Sequence, residues 1–501
     1  MILNELNHQV INSALINRLE IKGRKSKMHQ NQSEEVSTLF NTVVAGGYCI
    51  GCGACASVQD SPINITLDEY GRFGASLDPS NDSKTSNPSV LAVCPFSGVS
   101  DNEDRIGQKL FSENCQHHPK IGYYLANYAG FVSEQDFRQH GSSGGMGTWI
   151  INELFNQDLI DAVIHVHGQK PSETDPMLFR FQISDSTDKI RAGAKSRYYP
   201  IEMSEVLNLV RKRPGRYAIV GVPCFIKAVR LLAKHDPIIG ESIRFCIGLV
   251  CGHLKTTRFA DMFAWQCGVK PGHLLAINFR KKIPNQDANR YGIEVVSNQN
   301  NQEIKTTKSN HDFYGYLWGH GFFKYQACDY CDDVIAETAD IVVGDAWLPQ
   351  YLKDSDGTNV VVVRNPLIQT LIETGITSGR LNLDSINADE VAKSQDAGLR
   401  HRRDGLAYRL HLKDKAGFWR PKKRIKAQFD RLNEKQKKIY ELRTLMASQS
   451  HIAFDKAVEM ENFDYFKNTM NPIVKKYNNL YKPPLLKRFI SRLKKVLNSY
   501  F

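Results

Sequence analysis

Four cysteines near the start of the chain, Cys49, Cys52, Cys55 and Cys94, constrain what it can fold into more than any other feature. The first three lie in Tyr-Cys-Ile-Gly-Cys-Gly-Ala-Cys-Ala, a C-x2-C-x2-C loop whose glycines let the backbone curl around a compact inorganic core. Three thiolates stepped at this interval converge on one object. A cubane iron–sulfur cluster needs a fourth, which in bacterial ferredoxin-type folds is a remote Cys-Pro, and Cys94-Pro95 supplies it. A zinc site and a set of free thiols are the alternatives. Zinc sites pair two C-x2-C knuckles or enlist histidine, so the even stepping favours a 4Fe-4S cluster. Gln59 stands where the compact ferredoxin run has its fourth cysteine, so this loop is not half of an ordinary two-cluster ferredoxin.

A second set lies further on. Residues 217–220 read as a strand ending in Gly221-Val222-Pro223-Cys224, followed by a helix over 225–234. Residues 243–250 read as another strand, ending in Cys251-Gly252-His253. Both cysteines then stand at strand ends on one edge of a sheet, where open α/β sheets place their ligands. Cys328-Asp329-Tyr330-Cys331 adds a further C-x2-C, so Cys224, Cys251, Cys328 and Cys331 complete a second four-thiolate set. A second cluster is the expectation, with zinc or reduced core thiols as the alternatives. Cys246 and Cys267 sit among apolar residues and read as small core hydrophobes, and Cys115 as a plain thiol.

Gly141-Ser142-Ser143-Gly144-Gly145-Met146-Gly147 falls between a strand-like stretch, 123–132, and an amphipathic helix carrying Ile150, Ile151, Leu154 and Phe155. Glycines at a helix entrance let a ligand approach the backbone, where free amides and the helix dipole favour phosphate or the anionic edge of a flavin. The pattern is not G-x-G-x-x-G, and a turn that merely joins strand to helix is the commoner use of such a stretch. Residues 159–166 continue as a buried strand. Lys195-Ser196-Arg197-Tyr198 then combines cations with an aromatic ring, which seats a phosphate or forms a solvated basic loop.

Charge is unevenly placed. The chain of 501 residues has a net charge of +12, yet residues 401–501 hold 25 Lys or Arg against 9 Asp or Glu. The preceding 400 residues are therefore slightly acidic, which speaks against a nucleic-acid protein and for an anionic surface met at one end. In the closing stretch, Leu486, Phe489, Ile490, Leu493, Val496 and Leu497 recur at helical spacing among cations, so 484–501 reads as a basic amphipathic helix that either touches a membrane interface or packs on protein. No segment approaches an uninterrupted apolar span, and the cysteines suit metal ligation better than disulfides, so a reducing, cytoplasmic location is expected, with peripheral contact at the inner membrane face as a variant. The expected fold is mixed α/β. Its parts are an N-terminal helix and linker (1–40), a ferredoxin-like iron–sulfur module (41–115), a central α/β core (116–400) and a basic helical tail (401–501).

The ordered succession of C-x2-C-x2-C, Cys94-Pro95, Arg138, Ser142-Ser143-Gly144-Gly145, Lys195-Ser196-Arg197-Tyr198, Gly221-Val222-Pro223-Cys224, Cys251-Gly252-His253, Phe279-Arg280-Lys281-Lys282, Cys328-x2-Cys331 and Gly344-Asp345-Ala346-Trp347 resembles the coenzyme F420 hydrogenase/dehydrogenase beta subunit family. That family includes archaeal F420-reducing subunits and the plant 7-hydroxymethyl chlorophyll a reductase. The resemblance spans roughly residues 40 to 400 and implies FAD near Ser142, Ser143, Gly144 and Gly145 and the loop of Lys195, Ser196, Arg197 and Tyr198. It also implies an oxidoreductase passing electrons between two 4Fe-4S clusters and FAD, supplied by a ferredoxin or another oxidoreductase subunit and acting on an organic substrate or a deazaflavin-like cofactor. Gly-Val-Pro-Cys-Phe replaces the family's usual Gly-Thr-Pro-Cys-Gln, and Ser-Arg-Tyr its Ser-Lys-Tyr, so polar contacts on the substrate side differ. Some bacterial relatives accompany surface-polysaccharide genes. A non-catalytic electron-transfer subunit and a metal-stabilised scaffold in polysaccharide assembly are the rival readings. No catalytic acid stands out; His253 is considered only because it lies near Cys251.

Overall fold

A computed structural model of the chain describes residues 34–78, 89–299 and 302–482. Most of the N-terminal segment expected as helix and linker, most of the polar loop before Cys94, and the amphipathic stretch 484–501 lie outside the described residues. The fold is mixed α/β, as expected.

Alternation of apolar and polar residues produces the first hairpin, β1 (Ile63–Leu67) against β2 (Phe73–Leu77), with Ile63 opposite Leu77. Its turn is set by Asp68, whose carboxylate accepts the amides of Tyr70 (3.0 Å) and Arg72 (2.9 Å). A short ribbon of β3 (Gln116–His118) and β4 (Gly122–Tyr124) follows. The body of the protein is an eight-stranded sheet. In chain order its members are β5 (Ala126–Val132), β6 (Ala162–Gly168), β7 (Phe179–Ser184), β8 (Tyr217–Gly221) and β9 (Ile243–Leu249). A separate antiparallel meander of β10 (Leu274–Lys281), β11 (Gly292–Gln299) and β12 (Gln302–Ser309) intervenes. The large sheet is then completed by β13 (Ile341–Asp345), β14 (Asn359–Val363) and β15 (Leu381–Ser385).

Spatial order is β15-β5-β14-β13-β9-β8-β6-β7. The four strands β13, β9, β8 and β6 run parallel, and their near-continuous Val, Ile and Ala content is that of strands covered on both faces. Because β14 is antiparallel to both β13 and β5, β5 also points the same way as the parallel four. The carboxyl ends of β5, β13, β9 and β8 therefore share one edge of the sheet. One face is covered by the helices Met146–Asn156 and Pro366–Thr377, with Trp149, Ile150, Ile368 and Ile372 fully buried. The other carries the helix Pro223–His235 and the N-terminal cysteine module in a continuous apolar cluster.

Residues 404–482 are packed into this body rather than lying apart from it. The helices Glu434–Glu459 and Phe463–Tyr481 each start on an asparagine cap, Asn433 and Asn462, and pack against each other. Their inner face, with Met446, Phe454, Phe466 and Met470, joins Phe322, Phe323, Phe263 and the meander's Ile277 and Val295 in one cluster. Phe466 has no exposed surface and stacks on Phe323 at 5.8 Å between ring centroids. Truncating it to alanine should cost about 3–5 kcal/mol of stability through lost burial and a residual cavity. Urea denaturation of Phe466→Ala measures this, and a loss below about 1 kcal/mol would show that these helices contribute little to the core.

Candidate functional site

The first cysteine loop is held against the hairpin. Gly51 has φ +62° and comes so close to β2 that an added Cβ would lie 2.3 Å from the Phe73 carbonyl oxygen, so no larger residue fits this approach. With the loop pinned there, Cys49, Cys52, Cys55 and Cys94 line one pocket, walled by Leu39, Val43, Ile65 and Phe96. Cys49 Sγ accepts backbone amides from Gly51 (3.5 Å) and Ala75 (3.4 Å). The four sulfurs feel one another electrostatically, and burial pushes all four thiols up, Cys94 to about 12. Such thiols stay protonated unless something positively charged binds them, as iron or zinc does.

The second set forms at the carboxyl edge of the sheet. Pro223 occupies the first turn of its helix, where its missing amide costs nothing, and Cys224 follows it directly. Cys251 lies just past β9, whose neighbour β8 delivers Cys224 to the same edge. Cys328 and Cys331 come from the 3-10 turn Gln326–Tyr330 and the residue after it. Cys328 Sγ accepts the Leu254 amide at 3.2 Å, and the Cys331 thiol bonds the Asp333 carbonyl at 3.3 Å. Burial again raises Cys224, Cys251 (to about 12) and Cys328 (to about 11). Cys224 interacts electrostatically with the other three of its set and also with Cys52, so the two sets are neighbours. Among the described residues, no three His, Cys, Asp or Glu side chains are drawn together as around a single metal ion. The donor sets are all sulfur, backed by N–H···S bonds, a chemistry that fits an iron–sulfur cluster or a zinc ion.

The third cluster of residues surrounds the glycine loop. Gly145, at φ +90°, caps the helix Met146–Asn156 without a side chain, and Asn359 Oδ1 accepts the Met146 amide at 3.0 Å instead. The Gly144 carbonyl accepts the Val132 amide at 2.8 Å, tying the loop to the end of β5. Ser142 Oγ accepts the Ser196 amide at 2.8 Å, and Lys195 Nζ donates to the Gly141 carbonyl at 3.1 Å, so the two segments implied by the resemblance do meet. Ser143 turns inward, its hydroxyl donating to the Thr358 carbonyl at 3.1 Å.

Cations converge on this loop. Arg280 stands at a register irregularity in β10, where a bulge re-aims the side chain, and makes a two-pronged pair with Asp345 (3.0 Å each). It also donates to the Ser142 carbonyl and the Tyr198 hydroxyl, each at 3.3 Å. Lys282 donates to the Ser143 carbonyl at 3.1 Å, and Arg138 to the Gly357 carbonyl at 2.9 Å while lying over the Phe131 ring. Arg197 sits over the Phe179 ring. Burial lowers Lys195 to about 8, helped by Arg197 and Arg280. Burial also lowers Lys282 to about 8; Asp356 opposes the shift, while Lys195 and Arg138 add to it. Tyr198 is pushed up to about 12 by burial against the pull of Arg280.

His253 is buried on Trp318, with ring centroids 4.4 Å apart, and among the described residues its Nε2 has no hydrogen-bond partner. Burial and then Lys255, Lys324, Arg443 and Arg402 hold its pKa far below the usual histidine range, so it is neutral at neutral pH and carries no proton to donate as an imidazolium. Arg280, Lys282, Arg138 and Asp345 belong to motifs already visible in the sequence. Asn359 was not foreseen, because an isolated asparagine at a strand start gives no sign that it caps a helix over 200 residues earlier.

The crowded lysines have a measurable consequence. Their charged forms would attract an anion, and each loses its proton as pH rises through about 8, so the affinity of an anion held by them should fall in that direction. Sulfate, whose own charge is constant over this range, should bind more weakly at pH 9.5 than at pH 7, by about tenfold per ammonium lost, the scale of one charge-assisted hydrogen bond. Lys195→Met should flatten the profile in calorimetric titration. A profile independent of pH would contradict an anion site built on these two amines.

Two family models match the chain, both describing the beta subunit of coenzyme F420 hydrogenase/dehydrogenase: the model of its N-terminal part over residues 127–208 and the model of its C terminus over residues 215–389. Together they span about half of the chain. No curated protein matches it. Among solved structures, a chain of the F420-reducing NiFe hydrogenase complex from Methanosarcina barkeri, studied by xenon derivatization, is 15% identical; the match covers 63% of this chain and 99% of that one with a TM-score of 0.45. The matched segments hold the glycine loop, the cation cluster and all four cysteines of the second set, in the order that the fold brings to one sheet edge, and the chain belongs to the coenzyme F420 hydrogenase/dehydrogenase beta subunit family.

Proposed function

We propose that this chain is an iron–sulfur flavoprotein oxidoreductase. Cys49, Cys52, Cys55 and Cys94 would hold one 4Fe-4S cluster and Cys224, Cys251, Cys328 and Cys331 a second. Ser142, Ser143, Gly144, Gly145 and the Lys195, Ser196, Arg197 and Tyr198 loop would seat FAD. The observation that carries this reading is the adjacency of the three sites: the two cysteine sets neighbour each other at Cys52 and Cys224, and the second set shares the sheet's carboxyl edge with the cation-lined glycine loop. Clusters exchange single electrons while a flavin exchanges a pair, so the bound groups together interconvert one- and two-electron chemistry.

The chain's own residues divide the work. Lys195, Arg197, Arg280 and Lys282 supply positive charge for a diphosphate, and Asp345 and Asn359 hold Arg280 and the helix start in place. Apolar side chains, among them Leu39, Val43, Ile65 and Phe96, wall the first cysteine pocket. The electron donor is proposed as a ferredoxin-like protein or another oxidoreductase subunit, and the acceptor as an organic substrate or deazaflavin-like cofactor met near the flavin. A role in surface-polysaccharide synthesis belongs to the same proposal and rests on the resemblance alone.

Ligand removal tests the assignment site by site. Cys331→Ser should lower the iron content of the anaerobically purified chain by about four atoms, one cubane's worth, while leaving the first cluster's signal. Cys52→Ser should remove the other four. Iron content unchanged in either variant would overturn the corresponding ligand set.

A further inference from the structure

Arg402 ends the helix Asp396–Arg402, beyond the last residue matched by the family models, and is 2% exposed. Its Nη2 donates to the carbonyl of Gly252, the residue after Cys251, at 2.6 Å. Its guanidinium lies close enough to Cys331, Cys251 and Cys328, three of the four cysteines of the second set, to act on them electrostatically. Among the described residues its Nε has no hydrogen-bond partner and no carboxylate forms an ion pair with it. The cations near the first set are placed otherwise. Lys227 and Lys423, both felt by Cys94, are paired with the buried Glu103 (3.2 Å) and Asp332 (3.4 Å).

A buried guanidinium without a carboxylate is costly, and the fold retains one where four thiolates would meet. One-electron reduction of a cluster adds one negative charge, and a fixed cation close by in a low-dielectric interior stabilises the more negative form. Guanidinium stays protonated throughout the accessible pH range, so this field cannot be switched off by pH. Its planar fork donates to the Gly252 carbonyl, which also fixes the Cys251–Gly252 backbone.

We infer that Arg402, contributed by the segment outside the family models, is the positioning residue that raises the reduction potential of the second cluster and holds its Cys251 ligand in place. The inference rests on the two-cluster reading above. The lysines of the first set lack this effect because their charges are offset by carboxylates.

Redox titration of the full chain followed by electron paramagnetic resonance, with iron quantitation, provides the test. The Cys331→Ser chain identifies which signal belongs to the second cluster. Arg402→Gln should shift that cluster's midpoint negative by at least about 59 mV, a tenfold change in its reduced-to-oxidised ratio at fixed potential, with a smaller shift at the first cluster. Arg402→Lys, which keeps the charge, should stay closer to wild type than to Arg402→Gln. If Arg402→Gln loses the second cluster while Arg402→Lys keeps it near the wild-type potential, the requirement for charge is likewise supported. An unmoved potential in Arg402→Gln, equal shifts in both variants, or loss of the cluster from both would overturn the inference alone. A wild-type chain holding only one cluster's iron would overturn the two-cluster reading and the inference with it.

Discussion

Charge compensation in the interior is the constraint on which the rest of this structure depends. Two sets of four cysteines are buried or half-buried, and around them lie cations, some matched by carboxylates and some not. Near the second set, Lys324 is paired with Asp329, which also receives His401, whereas among the described residues Lys255 donates only to the Phe322 carbonyl and Arg402 only to the Gly252 carbonyl. Burying unpaired cations of this kind is unfavourable unless an anionic group offsets them. Thiolates gathered on a metal cluster would be such a group, so the site and its surroundings are consistent parts of one electrostatic arrangement.

Sheet topology explains how remote segments reach that arrangement. Since β5, β13, β9 and β8 all end at one edge, the glycine loop, Asp345, Cys251 and Cys224 are delivered there from over 200 residues of chain. The meander adds Arg280 and Lys282 from the side, through the irregular end of β10. The hairpin with the first cysteine loop closes on the opposite face, which brings Cys52 near Cys224. Loops carry the chemistry, and the packed strands fix their separation.

Much of this was legible in the sequence because it is local. The hairpin of β1 and β2 follows from alternation and an Asp-led turn, the strand ends before Cys224 and Cys251 from apolar runs stopped by glycine and proline, and the two cysteine sets from spacing. The pairing of Ser142 with Ser196 and of Arg280 with Asp345 was reachable only through the order of motifs, since neither pair is close in the chain. What sequence could not convey was the fate of the closing segment's charge. Counting lysines and arginines marked it as electrostatically distinct, yet the side chains of Arg402, Arg409, Lys423 and Arg424 are buried near the cysteines or their neighbouring carboxylates. A cation reads the same in a sequence whether it meets water or a thiolate; only tertiary packing distinguishes the two.

The most direct measurement of the central claim is an anaerobic absorption spectrum of the purified chain with iron, zinc and flavin quantitation. About eight irons and one FAD per chain, the content of two cubanes and one flavin site, is the predicted result. Zinc in place of iron, with no flavin, would contradict the account and leave a structural metalloprotein that keeps the family's fold without its redox chemistry.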